Sequence, residues 1–322
     1  MFFGDNILTT LNQDTEMLEN KIKIDFKPIT AEDKALYEDL LSLSEPRGCE
    51  YSFANMFLWG EQKIAFINGC ACMQAKFGEY RFYYHPIGNG DIKKTISEIM
   101  EDADARSIPF SIKGMTESET ENFKSEFGDE FEITTKTGSY DYVYSIDDLA
   151  DLAGKKYHGK RNHIHRFCDE HDGYRALPID ENILPKVREM AEEWYEEKLS
   201  SSPDDDFKFE KAALMKAFDF YKEIGLVGMA IIHEDKVLAF TIASRIYPDT
   251  FDVHFEKARA DVAGAYTVIN RDFARYIRDT HPEVKYLDRE EDMGIPGLRK
   301  AKESYHPHHR VIKYNVQRRK SV

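Results

Sequence analysis

The sequence predicts an α+β protein of two tandem domains, each a mixed, mostly antiparallel sheet flanked by helices. Three observations lead there. The chain has 322 residues, and two domains of about 100–200 residues are the default at that length. Its composition, 42% hydrophobic with 13% aromatic, suits packed cores rather than disorder. The order of strand-like and helix-like segments in residues 21–147 then returns in related form in residues 148–322, with the break near 145–150.

Residues 1–20 are polar with little periodicity and are expected to form a flexible extension. KIKIDF (21–26) alternates like a strand, and Thr30 is placed to cap a helix over AEDKALYEDLLSL. The aromatic segment YSFANMFLW (51–59) reads as a short buried helix. Strands are expected at 63–67, 70–77 and 80–85, broken by Asn68-Gly69 and Gly78-Glu79, which are hairpin signals. A helix at 91–106 places Ile92, Ile96, Ile99 and Ala103 on one side. The strand PFSIKGM, a helix from Thr116, and the strands FEITTK and YDYVYS complete this half.

The second half begins with a basic helix over 147–171 and the strand YRALPID. Two amphipathic helices follow, joined by the loop SSSPDDDFK, and then strands VGMAIIH and KVLAFTIASRI flank a turn at Glu234-Asp235. FDVHFEKA, the helix TVINRDFARYI, the strand VKYLDRE, the helix GLRKAKESY and the strand RVIKYNVQ finish the chain.

The net charge of −15 is unevenly spread. Residues 150–322 carry 30 Lys+Arg and 31 Asp+Glu, which leaves 14 and 28 for residues 1–149, a net of −14. Extensive nucleic-acid binding needs many neutralised phosphates and is not expected of such a chain. A single phosphate-bearing ligand in the second half remains compatible. The N-terminus has no basic, apolar leader, and no stretch reaches the roughly 18 apolar residues that span a bilayer. Cys49, Cys70, Cys72 and Cys168 have neither disulfide-framework nor zinc-ribbon spacing, which suits reduced thiols in a cytoplasmic protein.

The polar groups that suggest chemistry cluster late in the chain. Period-2 alternation puts Phe251, Val253 and Phe255 on one face of a strand, and Asp252, His254 and Glu256 on the other. Such groups either take a proton from an incoming amine or line a solvated sheet face. Asp288 and Glu290 share a face of another strand, with Arg289 and Arg259 as available cationic partners. Gly264-Ala265-Tyr266 opens a helix whose first-turn N–H groups attract phosphate, and Arg299 and Lys302 share one face of the next helix. Tyr305 ends that helix. Lys160 and Arg161 belong to the basic run GKKYHGKRNHIHRF, which reads equally as an anion-binding face or a solvated one. Its histidines lack the spacing of a zinc motif, so no metal is expected.

DYVYSIDDLADLAGKKYHGKRNHIHRF, HFEKARADVAGAYTVINRDFA and YLDREEDMGIPGLRKAKESYHP, with YSFANMFLW, together resemble the bacterial family of the phosphatidylglycerol lysyltransferase C-terminal domain. That resemblance implies two tandem acetyltransferase-like (GNAT) folds related to Fem-type aminoacyltransferases, with boundaries at 21–147 and 148–322. It places the donor's pyrophosphate at Gly264, Ala265 and Tyr266, and a general acid at Tyr305. The expectation is then an acyl- or aminoacyl-transferase working by direct attack on a phosphate-bearing donor, either CoA/acyl-CoA or the aminoacyl end of tRNA. The acceptor is an amine or hydroxyl. Glu256, Glu290 and His254 are the candidate bases, and Arg299, Lys302, Lys160 and Arg161 are the candidate donor ligands. The alternative is a non-catalytic module of the same fold that binds an anionic small molecule or peptide.

Overall fold

The computed structural model describes residues 24–44, 47–201 and 205–319. The expected extension at 1–20 lies outside them, as does the middle of the SSSPDDDFK loop. Two α+β units are present. Among the described residues, one comprises 24–44, 60–135 and 313–319; the other comprises 47–59, 136–201 and 205–312. The division therefore differs from the expected boundary at 147/148, and three segments account for the difference. The YSFANMFLW helix, Phe53–Leu58, belongs to the second unit. The strand Asp141–Ser145 pairs within the second sheet, with Tyr286–Asp288 and His309–Val311. The expected single strand RVIKYNVQ is two: His309–Val311 in the second sheet, and Tyr314–Arg318 in the first.

The first sheet runs Lys27–Pro28, Glu61–Ile67, Cys70–Phe77, Tyr80–Tyr84, Ser111–Met115, Tyr314–Arg318, Phe131–Thr135. Its parallel pair, Tyr80–Tyr84 with Ser111–Met115, is joined through the helix Ile92–Ala105. Ile96, Ile99 and Ala103 of that helix are buried against Tyr83, Ile112, Phe123 and Val316. Local signals explain the helix starts. Thr30 with Asp33, and Thr116 with Glu119, each form a reciprocal capping box. Of the strand expected at 21–26, residues 21–23 lie outside the described residues and 24–26 are not in a strand; pairing begins at Lys27–Pro28.

The second sheet runs His309–Val311, Asp141–Ser145, Tyr286–Asp288, Thr250–Ala258, Lys236–Tyr247, Val227–His233, Arg175–Pro178. Here the parallel pair is Thr250–Ala258 with Tyr286–Asp288, joined through the helix Ala265–Thr280. Each sheet thus repeats one plan: antiparallel strands, then a parallel pair with a helical crossover. The basic helix expected over 147–171 is interrupted. A first helix, Ile146–Asp151, stops at Leu152, whose left-handed conformation (φ 47°) ends it, and His158–Glu170 starts afresh after a turn. Phe167, Tyr157, Val268, Phe273 and Ile277 close the core over this face.

Candidate functional site

The site is organised by a β-bulge that alternation alone does not reveal. In the strand pair Lys236–Tyr247/Thr250–Ala258, Ile242 faces Phe255 and the next residue, Ala243, faces Val253, so His254 is an extra residue. Paired residues project to the same side of a sheet, and Ile242 and Ala243 project to opposite sides. Asp252 therefore shares a face with Phe255, and Glu256 shares the other with Val253. The expected single face of Asp252, His254 and Glu256 does not exist; the bulge deals these groups into two sites.

On the first face, Asp252 is fully buried beside Asp288, its register partner on the parallel strand. Glu290 follows in a left-handed conformation (φ 57°). Its backbone N–H donates to Asp288 Oδ1 at 2.8 Å. The helix Phe53–Leu58 covers this face, with Trp59 stacked on Phe255 at 5.7 Å between ring centroids. Asn55 Nδ2 donates to Asp252 Oδ2 (3.2 Å), Glu290 Oε1 (3.1 Å) and the Cys49 carbonyl (2.9 Å). His254 Nε2 meets Ser244 Oγ at 2.8 Å, while its Nδ1 lies 3.4 Å from Asp252 Oδ2 and 3.5 Å from Glu290 Oε1. Burial, then the charges of Glu290, Asp288 and Asp141, push the Asp252 carboxyl well above the usual range.

On the second face, where the Thr250–Ala258 strand continues past the end of its parallel partner, Arg289 donates to Glu256 Oε1 at 2.8 Å. Both side chains are largely buried, 14% and 12% exposed. Arg289 lies over the rings of Tyr144 and Tyr305, 5.7 and 5.1 Å from their centroids. Burial works against its charge, but Glu256 and the two phenols outweigh that and hold its pKa above normal. Asn270 Nδ2 donates weakly to Glu256 Oε2 at 3.5 Å. Lys160 sits 3.5 Å from the Tyr305 ring centroid and donates to Ser304 Oγ at 2.7 Å. Burial, and then the Arg289 charge, lower the Lys160 pKa to about 8. Burial also raises the Tyr305 phenol, which stays protonated at neutral pH. Two buried polar atoms here have no hydrogen-bond partner: Arg289 Nη1 and Asn270 Oδ1.

Of the expected site residues, Glu256, Tyr305 and Lys160 come together on the second face, and His254 and Glu290 on the first. Several of the expected donor ligands are engaged elsewhere. Arg299 makes a bidentate pair with Asp292 (2.7 and 3.0 Å), whose other partners are the Tyr142 hydroxyl (2.6 Å) and the Gly294 N–H (2.7 Å). Lys302 is buried, and its ammonium donates to the carbonyls of Arg289, Glu290 (3.0 Å) and Glu291 (2.6 Å). Arg161 Nη1 donates to the carbonyls of Leu152 and Gly154, tying down the turn between two helices. Gly264 takes φ 85°, and a Cβ there would lie 2.6 Å from the His163 carbonyl, so glycine is required by helix packing whatever the ligand. Ala265 is buried behind it and Tyr266 is exposed. Of the two arginines expected as cationic partners of the acids, Arg289 pairs with Glu256 and Arg259 with Glu193; Asn270 was not singled out by its sequence context. Asn55 had a faint signal: one amide inside an otherwise aromatic and apolar helix.

The family model described as "Phosphatidylglycerol lysyltransferase, C-terminal" matches residues 41–317. The chain belongs to that family. A solved structure of a conserved protein of unknown function from Bacteroides thetaiotaomicron is 33% identical, with a TM-score of 0.85, covering 92% of this chain and all of the other. The L-PGS structure from Bacillus licheniformis shares the fold at 15% identity and TM-score 0.63, over 90% of this chain and 93% of its own. Among curated proteins, an uncharacterized protein of Mycoplasmoides gallisepticum is 22% identical over 208 residues; the match spans 64% of each chain. No helix among the described residues is long and apolar enough to cross a membrane. Membership in the lysyltransferase C-terminal family carries an acyltransferase-like fold without naming donor or acceptor.

Proposed function

We propose that the second unit transfers an acyl or aminoacyl group from a phosphate-bearing donor to an amine or hydroxyl by direct attack. The observation that carries this reading is the Arg289–Glu256 pair at the point where the parallel strands part, with Arg289 Nη1 buried and unpartnered. A buried donor of that kind suits the carbonyl oxygen of an activated ester or thioester, whose negative charge grows as the nucleophile adds. The acceptor nitrogen or oxygen forms its bond to the carbonyl carbon, and the carbon–sulfur or carbon–oxygen bond of the donor breaks. Glu256 takes the acceptor's proton. Tyr305 or the neighbouring Lys160 returns one to the departing thiolate or alkoxide. Proton transfer of this kind contributes roughly 10²–10⁴ in rate. The family's described activity favours an aminoacyl ester over acyl-CoA as donor.

The test compares unfolding midpoints with acetyl-CoA, a long-chain acyl-CoA and a lysyl ester of adenosine, the last mimicking a charged tRNA end. A ligand at 100 times its Kd adds about 2.7 kcal/mol. The shift should vanish in Arg289→Met and persist in Arg299→Ala, and Glu256→Gln should abolish transfer to hydroxylamine while leaving the shift intact. No shift with any donor refutes the reading; a shift without transfer leaves a non-catalytic binding module.

A further inference from the structure

We propose that Asp252, His254 and Glu290 form a binding site for one divalent transition-metal ion, with Zn²⁺ the best match. The inference is independent of the transfer reaction, because the bulge puts these groups on the opposite face from Glu256 and Arg289. Four observations carry it. His254 has no exposed side-chain surface, and its Nδ1 has no hydrogen-bond partner although it lies between two carboxylates. Asp252 is fully buried, with the Ser52 hydroxyl as a further neighbour of its carboxylate. Ligands bound about 2.0–2.2 Å from a tetrahedral ion lie roughly 3.3–3.6 Å from one another. The distances from His254 Nδ1 to Asp252 Oδ2 and Glu290 Oε1 are 3.4 and 3.5 Å. Too long for good hydrogen bonds, they fit the edges of a coordination tetrahedron.

The groups behind the three ligands are already in place. Ser244 Oγ holds His254 Nε2 at 2.8 Å, which fixes the ring and leaves Nδ1 for the metal. Asn55 donates to the two ligand carboxylate oxygens at 3.2 and 3.1 Å and so orients both. One imidazole and two carboxylates suit a borderline ion, and the two acids offset its charge. Glu290 is the one of the three ligands with exposed side-chain surface, 22%, so a fourth position would face solvent on its side. Three protein ligands with an open position characterise reactive rather than purely structural zinc. Two ligands come from the Thr250–Ala258 strand and the third from the segment just past Tyr286–Asp288, with no helical spacing, so no motif along the chain announces them.

The test strips the full-length protein with chelator and titrates it with ZnCl₂ by calorimetry, with bound metal counted by mass spectrometry. One equivalent should bind, far more tightly than Mg²⁺, which prefers all-oxygen sites. Glu290→Gln and His254→Gln should each weaken binding at least tenfold, while unfolding curves without zinc show both variants folded. Absence of saturable zinc binding, or binding unchanged in both variants, overturns the proposal. Because Asp252 is fully buried, Asp252→Asn serves only as a stability readout. If that variant is more stable than the parent at neutral pH with zinc present, the acids share a proton instead of an ion, and the proposal again fails.

Discussion

Replacing Lys302 by methionine separates a structural role from a ligand-binding one. The sequence places this lysine on a helix face suited to a phosphate, whereas the structure turns its ammonium onto three successive carbonyls, of Arg289, Glu290 and Glu291. Those residues form the chain just beyond the Tyr286–Asp288 strand, so Lys302 holds the backbone that presents both Arg289 and Glu290. Burial lowers its pKa, which measures how far the charge has been taken out of water. The Glu290 carbonyl keeps a second donor, the Tyr142 N–H at 3.1 Å. That leaves at most two carbonyls to lose a donor, at about 1–3 kcal/mol each. Relief of the ammonium's own desolvation offsets part of this, for a net loss of about 2–4 kcal/mol. At about 2–4 °C per kcal/mol for a domain of this size, the midpoint should fall by roughly 5–15 °C. Urea unfolding at constant pH reads the same loss as a lower midpoint with unchanged slope. A stability within about 0.5 kcal/mol of the parent, together with lost donor binding, would refute the structural role and restore the phosphate reading.

Three further outcomes follow from the same packing. Gly264→Ala should destabilise by more than the roughly 1–2 kcal/mol of a left-handed alanine, because its Cβ also meets the His163 carbonyl at 2.6 Å; thermal unfolding checks this. Arg299→Ala should lower the thermal midpoint by stripping the buried Asp292 of its charged partner, with donor affinity unchanged. Lys160, with a folded pKa of about 8 against an ordinary 10.5, binds fewer protons folded than unfolded between those values. Stability should therefore rise with pH across that window, the full cost being present below pH 8. Subtracting the Lys160→Met curve should isolate the rise, and a flat difference would show that the ammonium is not desolvated.

Much of the fold is legible because its signals are local. Thr30 and Thr116 announce helix starts through their own side chains, Asn68-Gly69 announces a hairpin, and Ile96, Ile99 and Ala103 announce a buried face. Strand partners are another matter. Tyr314–Arg318 and Asp141–Ser145 have ordinary alternation, and nothing in it tells which sheet each will join. Leu152 ends a helix from a left-handed conformation without the glycine that usually marks one. The site was legible in its residue types but not in its pairings. Arg299 and Lys302 carry the charge a donor phosphate needs, yet a cation on a helix face reads the same whether it meets a ligand or a backbone. Asn55 and Asp252 are 197 residues apart in sequence, a separation across which no spacing rule operates.

The bulge at His254 explains why so many acids can occupy two neighbouring strands. Without it, Asp252 and Glu256 would project from the same face, close to Asp288 and Glu290. Like charges at such separations in a partly dry interior repel by several kcal/mol per pair. One extra residue changes the phase of the strand, so that Glu256 turns toward Arg289 and the Ala265–Thr280 helix. Asp252 and Glu290 stay together on the other face, where Asn55, His254, Ser52 and the Lys302 ammonium are among the groups that reach them. The two faces then differ in kind. The second holds a carboxylate already matched by a guanidinium, with a donor left over for a neutral or anionic ligand. The first gathers Asp252, Asp288 and Glu290 near the buried ammonium of Lys302, whose charge Glu290 and Asp288 favour, and the surplus of acid calls for a further cation or a proton. A chain selected only for a stable core has no use for either arrangement, and apolar residues at Asp252 and Glu256 would pack these strands at lower cost.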